Sequence, residues 1–131
     1  MDTAHPYGGV GSVSVTQAAE LQGGSDSEAR AGEAHGALLV DVREPGEFEA
    51  LRAPDAVLMP LSSFMARIGD LPRDRQLLMI CRSGVRSLHA GSVLVQHGFT
   101  SVANVEGGMI AWQRAGLPTR SGPPAAGEGE L

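Results

Sequence analysis

The side chains with the greatest chemical reach in this sequence lie in one run, Cys81-Arg82-Ser83-Gly84-Val85-Arg86-Ser87. Cys81 is the only cysteine of the chain. It follows Leu77-Leu78-Met79-Ile80, a continuous apolar run of the kind that forms a strand covered on both faces. A helical pattern from Ser87 to His97 comes after it. Ligands of open parallel sheets bind outside the carboxyl ends of the strands, so Cys81 stands at a place where chemistry is done. The free N–H groups at a helix start favour an anion, and the same field favours thiolate over thiol. Arg82 and Arg86 add two permanent charges, Gly84 lets the backbone turn back on itself, and Ser83 and Ser87 offer hydroxyl donors. Residues 82–87 therefore read as a small, positively polarised bowl that binds substrate, with Val85 as part of its wall. An already ionised nucleophile there needs no separate base. Arg86, where the loop re-enters the helix, is expected to face the sulfur, and Arg82 to splay toward solvent at the mouth. The competing reading of a lone cysteine is a buried inert thiol. The strand end, the arginines, the glycine and the helix start favour the nucleophile.

Other chemistries have less support. One cysteine cannot form an internal disulfide, and His5, His35, His89 and His97 have no metal-binding spacing, so neither a metal nor a cofactor is expected. The ten basic residues are all arginine, which removes lysine Schiff-base chemistry. A formal net charge of −5 argues against a general nucleic-acid or anionic-membrane footprint. No apolar stretch approaches the roughly 20 residues that span a bilayer. The first residues lack a basic region followed by an apolar run, so no export signal is expected and the cytoplasm is the default compartment. A free thiol suits such a reducing environment.

The elements that must position Cys81 alternate between short apolar runs and helical patterns, the signature of an α/β sheet. A first strand is expected around Ser12-Val13. Ser14 with Gln17 forms a capping box for a helix through Ala18, Ala19 and Leu21. Residues 22–36 read as a surface loop with a helical turn at Glu28 to Ala34. Leu38-Leu39-Val40 is a buried strand ending in Asp41, and Pro45 fits the first turn of a helix from Glu44 to Leu51. Val57-Leu58-Met59 is a third strand and Ser62 to Ile68 a short helix. After the strand that ends at Ile80, the long helix stops at Gly98 in a C′ position. Ser101 to Asn104 is the fifth strand. Gly107-Gly108 turns the chain into a last helix, Gly108 to Ala115, which Gly116 and Pro118 stop. Residues 1–11 are expected to be a flexible tail, 12–120 one domain, and 121–131 a disordered tail rich in Pro, Gly, Ala and Glu. Met59, Met65, Met79 and Met109 read as core filler, and Trp112 as a core or lid aromatic.

With these motifs in place, the chain resembles the rhodanese family from about Val13 to Pro118. The Cys81 to Ser87 loop is similar to the active loop of single-domain thiosulfate sulfurtransferases. Val40-Asp41-Val42-Arg43-Glu44 resembles the family's Asp-x-Arg-Glu signature. Asn104-Val105-Glu106-Gly107-Gly108-Met109-Ile110-Ala111-Trp112 and Gly116-Leu117-Pro118 resemble its C-terminal signature. The resemblance implies an open five-stranded parallel sheet with helices on both faces. It also implies a two-step transfer of sulfane sulfur through a Cys81 persulfide. The donor would be a small sulfur-containing anion such as thiosulfate, or a persulfide. The acceptor would be cyanide or a thiol, including that of a thioredoxin-like or sulfur-carrier protein. Asp41 and Arg43 are supporting residues, Asp41 ordering the loops at the strand ends and Arg43 pairing with a carboxylate.

The sequence departs from the family at one place. Where the family shows Gly-His-Ile-x-Gly-Ala, this chain has Leu51-Arg52-Ala53-Pro54-Asp55-Ala56, and Arg52 reads as a solvated surface residue. Two other functions compete. Phosphatases and arsenate reductases that share the fold have a longer loop between Cys and Arg, wide enough for a tetrahedral oxyanion. The shorter loop here suits a single sulfur atom. A non-catalytic binding or regulatory module is the other, and the retained Cys81 argues against it.

Overall fold

The computed structural model describes residues 9–25 and 36–131. Among them, the strands are β1 (Gly11–Val13), β2 (Leu38–Asp41), β3 (Val57–Leu58), β4 (Leu77–Ile80) and β5 (Val102–Val105). The helices are α1 (Val15–Leu21), α2 (Pro45–Ala50), α3 (Phe64–Arg67), α4 (Val85–Gln96) and α5 (Gly108–Arg114). The helical turn expected at residues 28–34 lies outside the described residues. Short 3-10 turns, Leu61–Ser63 and Ile68–Asp70, flank α3, where one continuous helix was expected. The described helices include none long and apolar enough to cross a membrane.

The strands form one sheet in the order β1-β5-β4-β2-β3, with every pairing parallel. The fold class expected from the alternating pattern is therefore the one observed. β2, β4 and β5 are buried along their whole length. Alternation along them divides the core into two layers. Leu77, Met79 and Cys81 face one layer with Ala90 and Leu94 of α4 and Phe64 of α3. Leu78 and Ile80 face the other, with Ala18 of α1, Phe48 of α2, and Met109 and Trp112 of α5. The alternation thus carries past the end of β4 and puts the Cys81 side chain on the α4 side. Met59, Met79 and Met109 are core residues, whereas Met65 is 58% exposed, a correction to its reading as core filler.

Local signals set the helix starts. Ser14 Oγ accepts the Gln17 N–H at 3.1 Å while the Ser14 N–H reaches Gln17 Oε1 at 2.8 Å, a complete capping box. α2 begins with Pro45 after Glu44, whose N–H donates to Glu47 Oε1 at 3.0 Å. α4 ends at Gly98, in the left-handed region with φ +92°.

The departure from the family signature has a structural answer. Asp55 replaces a family glycine and takes φ +64°, a conformation that aspartate tolerates better than most residues. Leu51, at the other glycine position, is extended and needs no glycine. Arg52, read as solvated, is 3% exposed. Its Nε and Nη2 donate to Glu128 at 2.6 and 3.0 Å, and its Nη1 donates to the carbonyls of Gly122 and Phe48 at 2.7 and 3.3 Å. The reason lies in the C-terminal run, which was expected to be disordered and instead folds back over the domain. The Arg52 and Arg120 backbones exchange two hydrogen bonds of 2.8 Å. The Gly122 N–H donates to Glu49 O, and Gly129 O accepts the Leu58 N–H at the open edge of β3. A tail that covers an edge strand also shields its unpaired backbone groups.

Replacing Arg52 with methionine keeps much of its volume and leaves the carbonyls of Phe48 and Gly122 without their donor. Urea unfolding of Arg52→Met is expected to show a loss of about 1–3 kcal/mol. A midpoint unchanged from the parent would mean that the tail is not fastened through this residue.

Candidate active site

The site is built where β4 hands over to α4. Cys81 is 1% exposed, so its sulfur has lost nearly all of its water. What replaces the water comes from its own loop. The Gly84 N–H donates to Cys81 Sγ at 3.1 Å, and Ser87 Oγ lies 3.3 Å from it. Burial by itself pushes the Cys81 thiol up; the Ser87 hydroxyl and the N–H groups of Ser87, Gly84 and Ser83 outweigh it, and the net displacement is downward. The loop therefore favours thiolate through directed donors.

Two glycine positions make this closure sterically feasible. Gly84 caps α4 with φ +105°, and a Cβ there would come within 3.3 Å of the Gly107 nitrogen. Gly108 has φ +55°, and a Cβ there would overlap the carbonyl oxygen of Cys81 and lie 2.6 Å from that of Arg82. That close approach lets the start of α5 meet the front of the loop. The Met109 and Ile110 N–H groups donate to the Cys81 and Arg82 carbonyls at 2.8 and 3.1 Å. The otherwise orphaned donors of one helix start thus pin the backbone that carries Cys81.

Asn104 belongs to the same site although the sequence reading did not single it out. It is 7% exposed on β5, donates from Nδ2 to Gly84 O at 3.1 Å, and accepts at Oδ1 from the Ser87 hydroxyl at 2.6 Å. A hydroxyl has one proton, and the Ser87 hydroxyl has two acceptors within reach, Asn104 Oδ1 and Cys81 Sγ. Ser87 serves the sulfur fully only when its proton turns away from Asn104. The signal that could have found Asn104 is a polar side chain within a fully buried strand.

The arginines differ from expectation. Arg82 is exposed and has no ion-pair partner among the described residues. Arg86 was expected to face the sulfur, but its Nη1 and Nη2 each donate to one oxygen of Glu47 at 2.9 Å. Glu47 occupies the first turn of α2, and its carboxylate meets the guanidinium at the start of α4. The Arg86 hydrogen bond leads the effects on Glu47 and holds its carboxyl down at about 2. A carboxyl depressed in the folded state contributes above its unfolded value of about 4.3 and loses that contribution only as pH falls through the folded value, so the pair persists across the neutral range.

Asp41 and Arg43 are each other's partners. Arg43 Nη2 and Nε donate to the Asp41 carboxylate at 2.7 and 3.0 Å, with the two side chains 5% and 0% exposed. Arg43 also donates to the carbonyls of Leu51 and Glu47 at 2.6 and 3.3 Å, which ties the end of β2 to α2. Ser83 and Val85 stand exposed on the loop crest, and Trp112 is buried with its indole N–H on Pro118 O. Among the described residues no cluster of His, Cys, Asp or Glu is placed to hold a metal ion.

The model of the rhodanese-like domain matches residues 17–115. A sulfurtransferase of Allochromatium vinosum is 44% identical over 81 residues, which cover 62% of this chain and 76% of that protein. The thiosulfate sulfurtransferase GlpE of Pseudomonas syringae is 37% identical over 86 residues, covering 66% of this chain and 81% of its own. The crystal structure of a rhodanese-related protein from Thermoplasma volcanium matches with a TM-score of 0.70 at 27% identity, over 84% of this chain and 97% of that one.

The donor arrangement predicts how the thiol titrates. The rate of Cys81 alkylation against pH is expected to have its midpoint below the free-cysteine value of about 8.5. Ser87→Ala removes the hydroxyl and is expected to move that midpoint upward. A native midpoint at or above the free value would mark Cys81 as an inert buried thiol.

Proposed function

The chain belongs to the rhodanese-like domain family, and on that premise we propose that it is a sulfurtransferase whose Cys81 carries sulfane sulfur as a persulfide. The observation that carries this reading is the buried Cys81 sulfur facing the Gly84 N–H and the Ser87 hydroxyl inside a closed loop. In the first step the Cys81 thiolate attacks the outer sulfur of the donor. The donor's S–S bond breaks, and the leaving group departs with the electron pair. The outer sulfur of the new persulfide then takes the place of the anion in the bowl, within reach of the same donors. In the second step a thiolate or cyanide attacks that outer sulfur, and the Cys81 thiolate leaves and is regenerated. Thiosulfate and persulfides are the candidate donors. Cyanide, small thiols and the thiols of thioredoxin-like or sulfur-carrier proteins are the candidate acceptors. A lone free thiol suits a reducing compartment such as the cytoplasm.

Loop size supports sulfur over phosphate. Only four residues, Arg82 to Val85, separate Cys81 from Arg86. Donors drawn that tightly around one sulfur atom leave little room for three equatorial oxygens. The Glu47 carboxylate on Arg86 further weakens the site for a phosphoryl group, which would need that guanidinium for its own oxygens.

Mass spectrometry after exposure to a sulfane donor tests the reading. The native protein is expected to gain one sulfur atom on Cys81. Cys81→Ser is expected to gain none and to lose transfer to cyanide completely while keeping its melting temperature. Full transfer by Cys81→Ser, or hydrolysis of an aryl phosphate faster than sulfur transfer, would replace this assignment.

A further inference from the structure

Charge at the mouth of the site distinguishes between kinds of donor. The loop carries two guanidinium groups, and they are not equivalent. Arg86 is held by two bonds of 2.9 Å to Glu47, while Arg82 has no ion-pair partner among the described residues. Arg86 and Glu47 cancel, so the loop and its neighbour present the charge of Arg82 alone. Glu47 and Arg82 also line a groove of about 250 Å³ whose other walls include Leu51, Met109, Ile110 and Gln113.

We propose that Glu47 is a specificity-determining residue: by neutralising Arg86 it leaves Arg82 as the only uncommitted cation of the loop and sets the site for organic sulfane donors of the persulfide class, carrying at most one negative charge, in preference to dianionic thiosulfate. This rests on the sulfurtransferase reading above. The chemistry balances for either donor. With thiosulfate, the Cys81 thiolate takes the outer sulfur and sulfite leaves with the electron pair, so a monoanion must meet a dianion. With an organic persulfide R–S–SH, the thiolate attacks the terminal sulfur, which keeps its proton, and R–S⁻ leaves. Fewer like charges meet. Glu47 acts on this choice through Arg86 and through its own charge, without touching the reacting sulfur.

Glu47→Gln is a conservative probe. Glutamine serves as well as glutamate at the third position of a capping box, so the acceptor for the Glu44 N–H is kept while one negative charge is removed. The donors compared are thiosulfate and the methanethiosulfonate anion, which holds an equivalent sulfane sulfur with one charge fewer and an organic group. The readout is the ratio of their kcat/KM values for loading sulfur onto Cys81. In Glu47→Gln the ratio of thiosulfate to methanethiosulfonate is expected to rise about fivefold at low salt, and the gain to shrink when added salt screens the charge. Arg86→Gln, which leaves Glu47 uncompensated, is expected to move the ratio the opposite way. An unchanged ratio in Glu47→Gln, or an equal loss with both donors, would overturn the proposal and leave Glu47 as a purely structural partner of Arg86. If native protein takes up sulfur from neither donor, the sulfurtransferase reading itself falls, and the donor assignment with it.

Discussion

A sulfur atom that is 1% exposed and asked to carry negative charge must have its lost water replaced, and the hydrogen bonds that reach Cys81 make that replacement. Isolated burial would leave the thiol protonated. The Gly84 N–H and the Ser87 hydroxyl, at 3.1 and 3.3 Å, reverse the balance. Much of the surrounding structure can be understood as what this arrangement requires. Gly84 must take a positive φ, β5 must bring Asn104 to the Gly84 carbonyl, and Gly108 must let α5 approach without a side chain between. A parallel sheet provides the frame because it delivers β4 and β5 side by side with their carboxyl ends at one edge.

The second theme is α2, held by three arginine–carboxylate pairs of different character. Arg43 and Asp41 are both deeply buried, and Arg43 donates to the carbonyls of Glu47 in α2 and Leu51 just after it. Arg52, also buried, joins its C-terminal end to Glu128 of the tail. Arg86 and Glu47, each about a third exposed, tie its first turn to the Cys81 loop. Buried pairs of this kind add little net stability over an apolar packing, yet breaking one strands a desolvated charge. Their effect is to fix where α2 sits. That position decides how much positive charge the mouth presents, because Glu47 moves with the helix.

The altered segment at residues 51–56 fits the same picture. Where the family pattern has a histidine, this chain has an arginine, and the arginine captures a carboxylate and a carbonyl from the C-terminal run. The turn survives the loss of two glycines because only one of those positions has a positive φ, and aspartate fills it.

The sequence alone determined what local forces decide. Continuous apolar runs specify buried strands, the Ser14 and Gln17 pair specifies a helix start, Gly98 specifies a helix end, and the order of strands and helices implies a parallel sheet with Cys81 at the carboxyl ends of its strands. Cys81 and the Gly84 and Ser87 donors that reach its sulfur were legible because they are contiguous. Only the tertiary structure decided which distant residues meet. Arg86 and Glu47 are 39 positions apart, Ser87 and Asn104 are 17, and Arg52 and Glu128 are 76. Hydrophobic periodicity reports which face of an element is buried, but it says nothing of which carboxylate a given guanidinium will find. Composition likewise marked residues 121–131 as a free tail. Their Pro, Gly and Ala content cannot build a core, but Glu128 and the backbone of Gly122 and Gly129 can still be captured by a core that already exists.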